Sequence, residues 1–135
     1  MILVDTSVWI DFLKHYPSPE AQALRNFLER DELLAITGLI YAEILQGIRD
    51  RKMVERVKRD LSVLTILDPS GLPAYEAAAG LYHACRVRGV TLRSMVDCVI
   101  AAVAIENRIP ILHKDLDFSQ IAKYSELEVC APLRT

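Results

Sequence analysis

Short β-branched runs recur along the chain, at Ile2 to Val4, Leu34 to Thr37, Leu64 to Leu67, Ile109 to Leu112 and Glu128 to Cys130, with longer helical patterns between them. Strands separated by helices must be joined by right-handed crossovers, and these give a parallel sheet covered on both faces. The expectation is an α/β fold in three layers, α/β/α, around a central, mostly parallel sheet of four to five strands. Helices are predicted at Ser7 to Lys14, Pro19 to Arg30, Leu39 to Ile48, Met53 to Ser62, Pro73 to Val87 and Ser94 to Asn107, with a short turn near Phe118 to Lys123.

With 135 residues, 52% of them hydrophobic, the chain can bury one core without disulfides, so a single domain spanning 1–135 is expected. Pro17 and Pro19 separate the first two helices, Pro69-Ser70-Gly71 leads into the Pro73 helix, and Gly89 stops that helix. The three cysteines, Cys85, Cys98 and Cys130, lie in apolar stretches without zinc-ligand spacing and are expected to be reduced core residues. Met1-Ile2-Leu3-Val4-Asp5 lacks a basic leader, and the longest uncharged apolar run, Cys98 to Ile105, is too short to cross a bilayer. A cytoplasmic protein with no membrane association is expected.

The net charge of −2 argues against a simple basic nucleic-acid binder. Neutralising four of the 18 acidic side chains would, however, leave the 16 basic ones in excess, so a polyanionic substrate stays admissible.

Four acids stand out. Asp5 directly follows the first strand, Asp115 follows the fourth after His113-Lys114, and Glu43 comes about a turn and a half of helix after the second. In open α/β sheets ligands bind beyond the carboxyl ends of the strands, where these three belong. Asp97 lies in the stretch from Met95 to Ile105, which is otherwise apolar nearly all round and marks a buried helix. A carboxylate there is costly unless it is paired or bound to metal, and no Lys or Arg lies within the stretch. Glu43 likewise sits between Leu39-Ile40-Tyr41-Ala42 and Ile44-Leu45, with Gly47 one turn on. Such crowding of carboxylates is tolerable only with bound cations.

Each acid also has a plain explanation. Ser94-Met95-Val96-Asp97 fits a capping box, Asp5 could cap the Ser7 helix, and Asp115 or Asp117 could cap the last short one. Gly47 serves close helix packing as readily as it makes room for a substrate. Asp11 and Asp68 are left outside the site, since Asp11 has polar neighbours and Asp68-Pro69 is a common turn opening.

With Asp5-Thr6-Ser7, Glu43 to Gly47, Asp97 to Ala102 and His113-Lys114-Asp115-Leu116-Asp117-Phe118 in this order, the chain resembles PIN-domain ribonucleases, and among them the VapC-type toxins of toxin–antitoxin pairs. The likeness spans almost the whole chain, and it is the ordered set that is specific. It implies a PIN-like fold in which Asp5, Glu43, Asp97 and Asp115 form a catalytic, metal-binding quartet. Thr6, Ser7 and Asp117 would be supporting groups. His113 departs from the threonine that many relatives carry there.

An all-oxygen ligand set favours a hard octahedral cation, magnesium by default and manganese as its substitute. The implied reaction is hydrolysis of an RNA phosphodiester, with 5′-phosphate and 3′-hydroxyl products, by the toxin of a type II pair that inhibits translation or growth. Asp5, Asp97 and Asp115 are expected to hold metal, with Glu43 as a further ligand or as orienter of the attacking water. Arg86 and Arg93 flank Asp97 and are expected to contact substrate; a second basic cluster at Arg49, Arg51, Lys52, Arg56, Lys58 and Arg59 is equally well a solvated helix face. Trp9, Tyr41 and Leu45, with Ile10, are expected to form an apolar groove for a VapB-like antitoxin or for homodimerisation, although core packing suits Ile10 and Leu45 better. Transfer RNA, ribosomal RNA and messenger RNA all remain open as target.

Two rivals exist. A receiver-like signalling domain would use Asp68 as phosphoacceptor, but it leaves Glu43 and Asp97 unexplained and expects a second acid beside Asp5, where the chain has Val4 and Thr6. A catalytically silent PIN-like binding module would need no intact quartet.

Overall fold

The computed structural model describes residues 1–132. Its sheet is built from β1 (Ile2–Val4), β2 (Leu34–Ile36), β3 (Thr65–Ile66) and β4 (Ile111–Leu112), all parallel, in the order β3-β2-β1-β4. The register pairs Leu3 with Ala35 on one side and with Ile111 on the other. β1 and β2 are central, and Leu3, Val4, Ala35 and Ile36 are fully buried, as strands covered on both faces should be. The edge strand β3 instead exposes both its residues.

Seven helices connect and cover the strands: α1 (Thr6–Leu13), α2 (Pro19–Glu29), α3 (Gly38–Gln46), α4 (Arg51–Leu61), α5 (Leu72–Arg86), α6 (Met95–Asn107) and α7 (Leu116–Lys123). The path β1 to β2 to β3 steps one way across the sheet, and β3 to β4 steps back. Right-handed crossovers therefore place α1 to α4 on one face and α5 and α6 on the other. The packing agrees, since α1 meets α2 and α3, while α6 meets α5 and α7. The reversal leaves a crevice between the carboxyl ends of β1 and β4, the place where such sheets bind ligands.

The helices start where the sequence supplies caps. Asp5, Ser18, Thr37, Asp50, Ser94 and Asp115 each accept a hydrogen bond from a backbone N–H of the first turn that follows. In α6 every residue from Cys98 to Ala104 is buried, so this helix is the core of its layer. Cys85 and Cys98 are buried and Cys130 half-buried, all three as free thiols.

Two expectations are corrected. The turn near Phe118 is an eight-residue helix, because Asp115 caps it at Leu116. The fifth strand is reduced to one parallel bridge between Ile111 and Val129, which leaves four strands. No helix among the described residues is long and apolar enough to cross a membrane.

Candidate active site

Asp5 ends β1 and is 95% buried, its carboxylate turned back over the start of α1. One of its oxygens accepts the Ser7 hydroxyl at 2.7 Å and the Ser7 N–H at 3.1 Å. The Ser7 hydroxyl accepts in turn from the Lys114 N–H at 3.1 Å, so one small side chain ties the end of β1 to the segment that leads from β4 to Asp115. Burial raises the Asp5 carboxyl above its ordinary range, and the Ser7 bonds only partly offset this. On the neighbouring helix Glu43 is held by the Thr6 hydroxyl at 2.8 Å. Both hydroxyls of Asp5-Thr6-Ser7 thus aim a carboxylate.

Asp97 differs. The Ser94 hydroxyl caps α6 through the Val96 N–H at 3.1 Å, but the Asp97 carboxylate does not close the box. Among the described residues no hydrogen bond or ion pair reaches it. Burial, then the charges of Asp115, Asp5, Asp117 and Glu43, push its carboxyl up from 3.8 to about 8. The charges acting on Asp97 come from two helix N-caps, Asp5 and Asp115, and from within two helices, Asp117 on α7 and Glu43 on α3.

Asp97, Asp115 and Asp117 can each offer an oxygen within 4.8 Å of the others. Asp117 is 95% buried and accepts the Arg93 N–H at 2.9 Å, which pins the α5–α6 loop to the site. The Arg93 guanidinium lies 3.6 Å from Asp115 and 3.8 Å from Asp117 on a side chain that is 72% exposed. These are loose contacts of an exposed cation with acids that lack a better one among the described residues. The donor set is all oxygen, and it holds one carboxyl protonated near neutrality for want of positive charge. Such a pocket suits a hard divalent ion.

The remaining sequence candidates divide. Arg86 closes α5 as an exposed residue, and nothing among the described residues ties it to the acids. Trp9 is only 4% exposed and belongs to the core, edge-on to Phe12, so it offers no docking surface. Tyr41 and Leu45 are half-buried on α3. Gly47 favours helix packing, since a Cβ there would meet Ile10 Cδ1 at 3.2 Å. His113 packs on the Phe118 ring at 5.3 Å, and burial lowers its imidazole pKa.

Asp68 accepts the Gly38 N–H at 3.0 Å and stays exposed, outside the group that Asp97, Asp115 and Asp117 form. A receiver-like phosphoacceptor would need to sit with the other acids, so that alternative is not favoured. Asp11, set aside in the sequence, is paired with Lys114 beside the site. Three residues separate it from Ser7 on α1, and that spacing would have put it on the same helix face.

Residues 2–124 match the PIN domain family model. The chain is 36% identical over 132 residues to the VapC ribonuclease Mb1587 of Mycobacterium bovis and to ribonuclease VapC11 of Mycobacterium tuberculosis, covering 97% of this chain and 98% of each relative. Its fold is similar to a toxin–antitoxin complex chain from Klebsiella pneumoniae (TM-score 0.73, 21% identity, all of both chains) and to one in the VapBC2 structure from Rickettsia felis bound to a promoter DNA fragment (TM-score 0.74, 18% identity, 96% and 97% covered). Acids gathered at the crevice of a parallel sheet, a family match over nearly the whole length and ribonuclease relatives at 36% identity agree: the chain belongs to the PIN-domain family, among its VapC ribonucleases.

Proposed function

We propose that the protein is a divalent-metal-dependent endoribonuclease acting as the toxin of a type II toxin–antitoxin pair. The observation that carries this reading is Asp97, a half-buried carboxyl without a partner among the described residues, raised to about 8 by burial and then by the charges of four other acids. Asp97 and Asp115, whose oxygens come within 4.8 Å of each other and of Asp117, would hold magnesium, or manganese in its place, together with Asp5, and Glu43 would stand at the edge of the set. A bound divalent ion supplies positive charge for the phosphate oxygens and makes water a better nucleophile.

The protein's own groups do the rest. Ser7 fixes the Asp5 carboxylate, and Thr6 orients Glu43, which accepts a proton from the attacking water. Arg93 leaves its loose contacts with Asp115 and Asp117 for a phosphate of the RNA. Water oxygen bonds to phosphorus as the P–O3′ bond opposite it breaks, and the departing 3′ oxygen takes a proton from solvent, which leaves a 5′-phosphate and a 3′-hydroxyl.

The structural relatives are toxin–antitoxin complexes, which supports a VapB-like antitoxin as partner. Tyr41 and Leu45 would contribute to its groove, and an antitoxin arginine would compete for the acids that Arg93 touches. A homodimer in the cytoplasm completes the proposal. Purified protein incubated with RNA is expected to cut in magnesium and not in EDTA, and Asp5→Asn is expected to be inactive. Equal cleavage by the wild type and Asp5→Asn would reject the chemistry. Sequencing the ends of RNA cut during brief expression would identify the target among transfer, ribosomal and messenger RNA.

A further inference from the structure

Beside the acids lies a cleft of about 550 Å³, lined by Ser7, Ile10 and Asp11 of α1, Arg93, and Lys114, Asp115 and Leu116 at the start of α7. It is shallow and open to solvent, as a surface that receives an extended strand would be. Asp115 belongs to both cleft and acid cluster, so a nucleotide joined to a phosphate on the acids would extend into this space.

The walls are of two kinds. Ile10 and Leu116 are apolar, and Leu116 is 68% exposed although it sits next to a carboxylate of the site. A large apolar side chain left in water beside a charged pocket suits the flat face of a base. The polar wall is the Asp11–Lys114 ion pair, in which the Lys114 ammonium also lies 5.0 Å from the centre of the Tyr16 ring. Lys114 carries three donors, and the Asp11 carboxylate, with about four lone-pair sites, retains acceptor capacity beyond its bonds to Lys114 and the Ser18 hydroxyl. With the Asp11 carboxyl only 16% exposed and Lys114 held from two sides, neither group must be ordered when a ligand arrives.

We propose that this cleft is a subsite for the nucleotide next to the scissile phosphate and that it selects guanine. Guanine presents two adjacent donors, N1–H and N2–H, beside the O6 acceptor. The donors match the two oxygens of Asp11, and O6 matches the Lys114 ammonium. Adenine, cytosine and uracil each offer a carboxylate a single donor position on that edge. Single-stranded RNA is commonly read in this way, by stacking of the base and hydrogen bonds to its Watson–Crick edge. Ile10 and Leu116 cover the base face and Arg93 takes the flanking phosphate. The proposal rests on the ribonuclease reading of the acids and names which residue of the RNA the site prefers.

The test compares short single-stranded RNAs that differ only in the two bases flanking the cut. Wild type in magnesium is expected to favour guanine at one of these positions by about tenfold to a hundredfold in kcat/KM, the discrimination typical of a bidentate base contact. Asp11→Asn is expected to reduce that ratio to threefold or less, and Leu116→Ala to raise KM for every base without restoring or removing the preference. As Leu116 is exposed, its truncation leaves the fold intact, and thermal melting of both variants checks this. In parallel, GMP and AMP are titrated into the metal-free protein, with tighter GMP binding expected for wild type and equal binding for Asp11→Asn. RNA cleavage without guanine preference, or a preference unchanged in Asp11→Asn, overturns the subsite and leaves the nuclease reading standing. Absence of any cleavage in magnesium overturns the nuclease reading, and the nucleotide titration then decides the cleft alone.

Discussion

The two halves of the site are built on opposite principles. On the side of β1, α1 and α3 the acids are held: Asp5 by Ser7 and Glu43 by Thr6, with hydroxyl bonds of 2.7 and 2.8 Å. On the α6 side Asp97 has no such partner among the described residues, and burial with the neighbouring acids drives its carboxyl up to about 8. The first half is preorganised by the fold and keeps its geometry with or without a ligand. The second is frustrated by the fold, and either a proton or a cation relieves it. On the proposed metal reading, affinity would come from the bare half and positional accuracy from the held half.

The sharpest way to break this comparison is to neutralise one acid in each half. Asp5→Asn and Asp97→Asn are both expected to reduce RNA cleavage by at least about a hundredfold, since each removes a charge that the cation needs. They part company in metal-free stability at about pH 8, where Asp97→Asn is expected to gain on the order of 1–2 kcal/mol by removing an unpartnered buried charge. Urea unfolding in EDTA measures the difference; a loss of stability in Asp97→Asn would show that Asp97 is held after all.

Next in size is the pH dependence. The Asp97 carboxyl ionises near 3.8 in the unfolded chain and near 8 in the folded one. Between these values the folded state binds the extra proton, so this contribution is complete below about pH 4 and is lost as pH rises through about 8. The melting temperature in EDTA is therefore expected to fall across that window and to become flatter in magnesium, which favours the ionised form. A curve that is the same with and without magnesium would contradict the metal assignment.

A smaller effect sharpens the held half. Ser7→Ala removes a donor to Asp5 and the acceptor for the Lys114 N–H and is expected to cost about 1–2 kcal/mol. Thr6→Ala is expected to lower kcat/KM about tenfold with little change in stability, because only the aim of Glu43 is lost. Smallest of all, Asp68→Asn keeps an oxygen for the Gly38 N–H and should leave both stability and cleavage close to wild type, within about 0.5 kcal/mol.

Much of this contrast was legible in the residues themselves. An acid inside the apolar run from Met95 to Ile105 identified Asp97, and strand-end position identified Asp5 and Asp115, because these depend on local pattern and sheet topology. The strand β1 lies where its β-branched run does, whereas β3 and β4 are shorter than theirs: strand ends are set by where a neighbouring strand stops pairing. What stayed hidden depended on contacts between distant segments. Asp117 reads as a cap or a supporting group, but its burial under the Arg93 N–H, 24 residues away, has no local signal. Asp11 looked like a surface residue until Lys114, more than a hundred residues on, came to lie against it. Trp9 shows the converse, an aromatic residue assigned to a docking surface that the core had already claimed.

The hydrogen that stands for a side chain at Gly47 has a reach beyond its own helix. A methyl group there would press on Ile10 Cδ1 at 3.2 Å and force the isoleucine to give way by a few tenths of an ångström. Ile10 also forms one wall of the cleft that opens beside Asp115. The width of that opening is thus gauged from the far end of α3, so an alanine at position 47 would narrow or skew it while every charged group stayed in place.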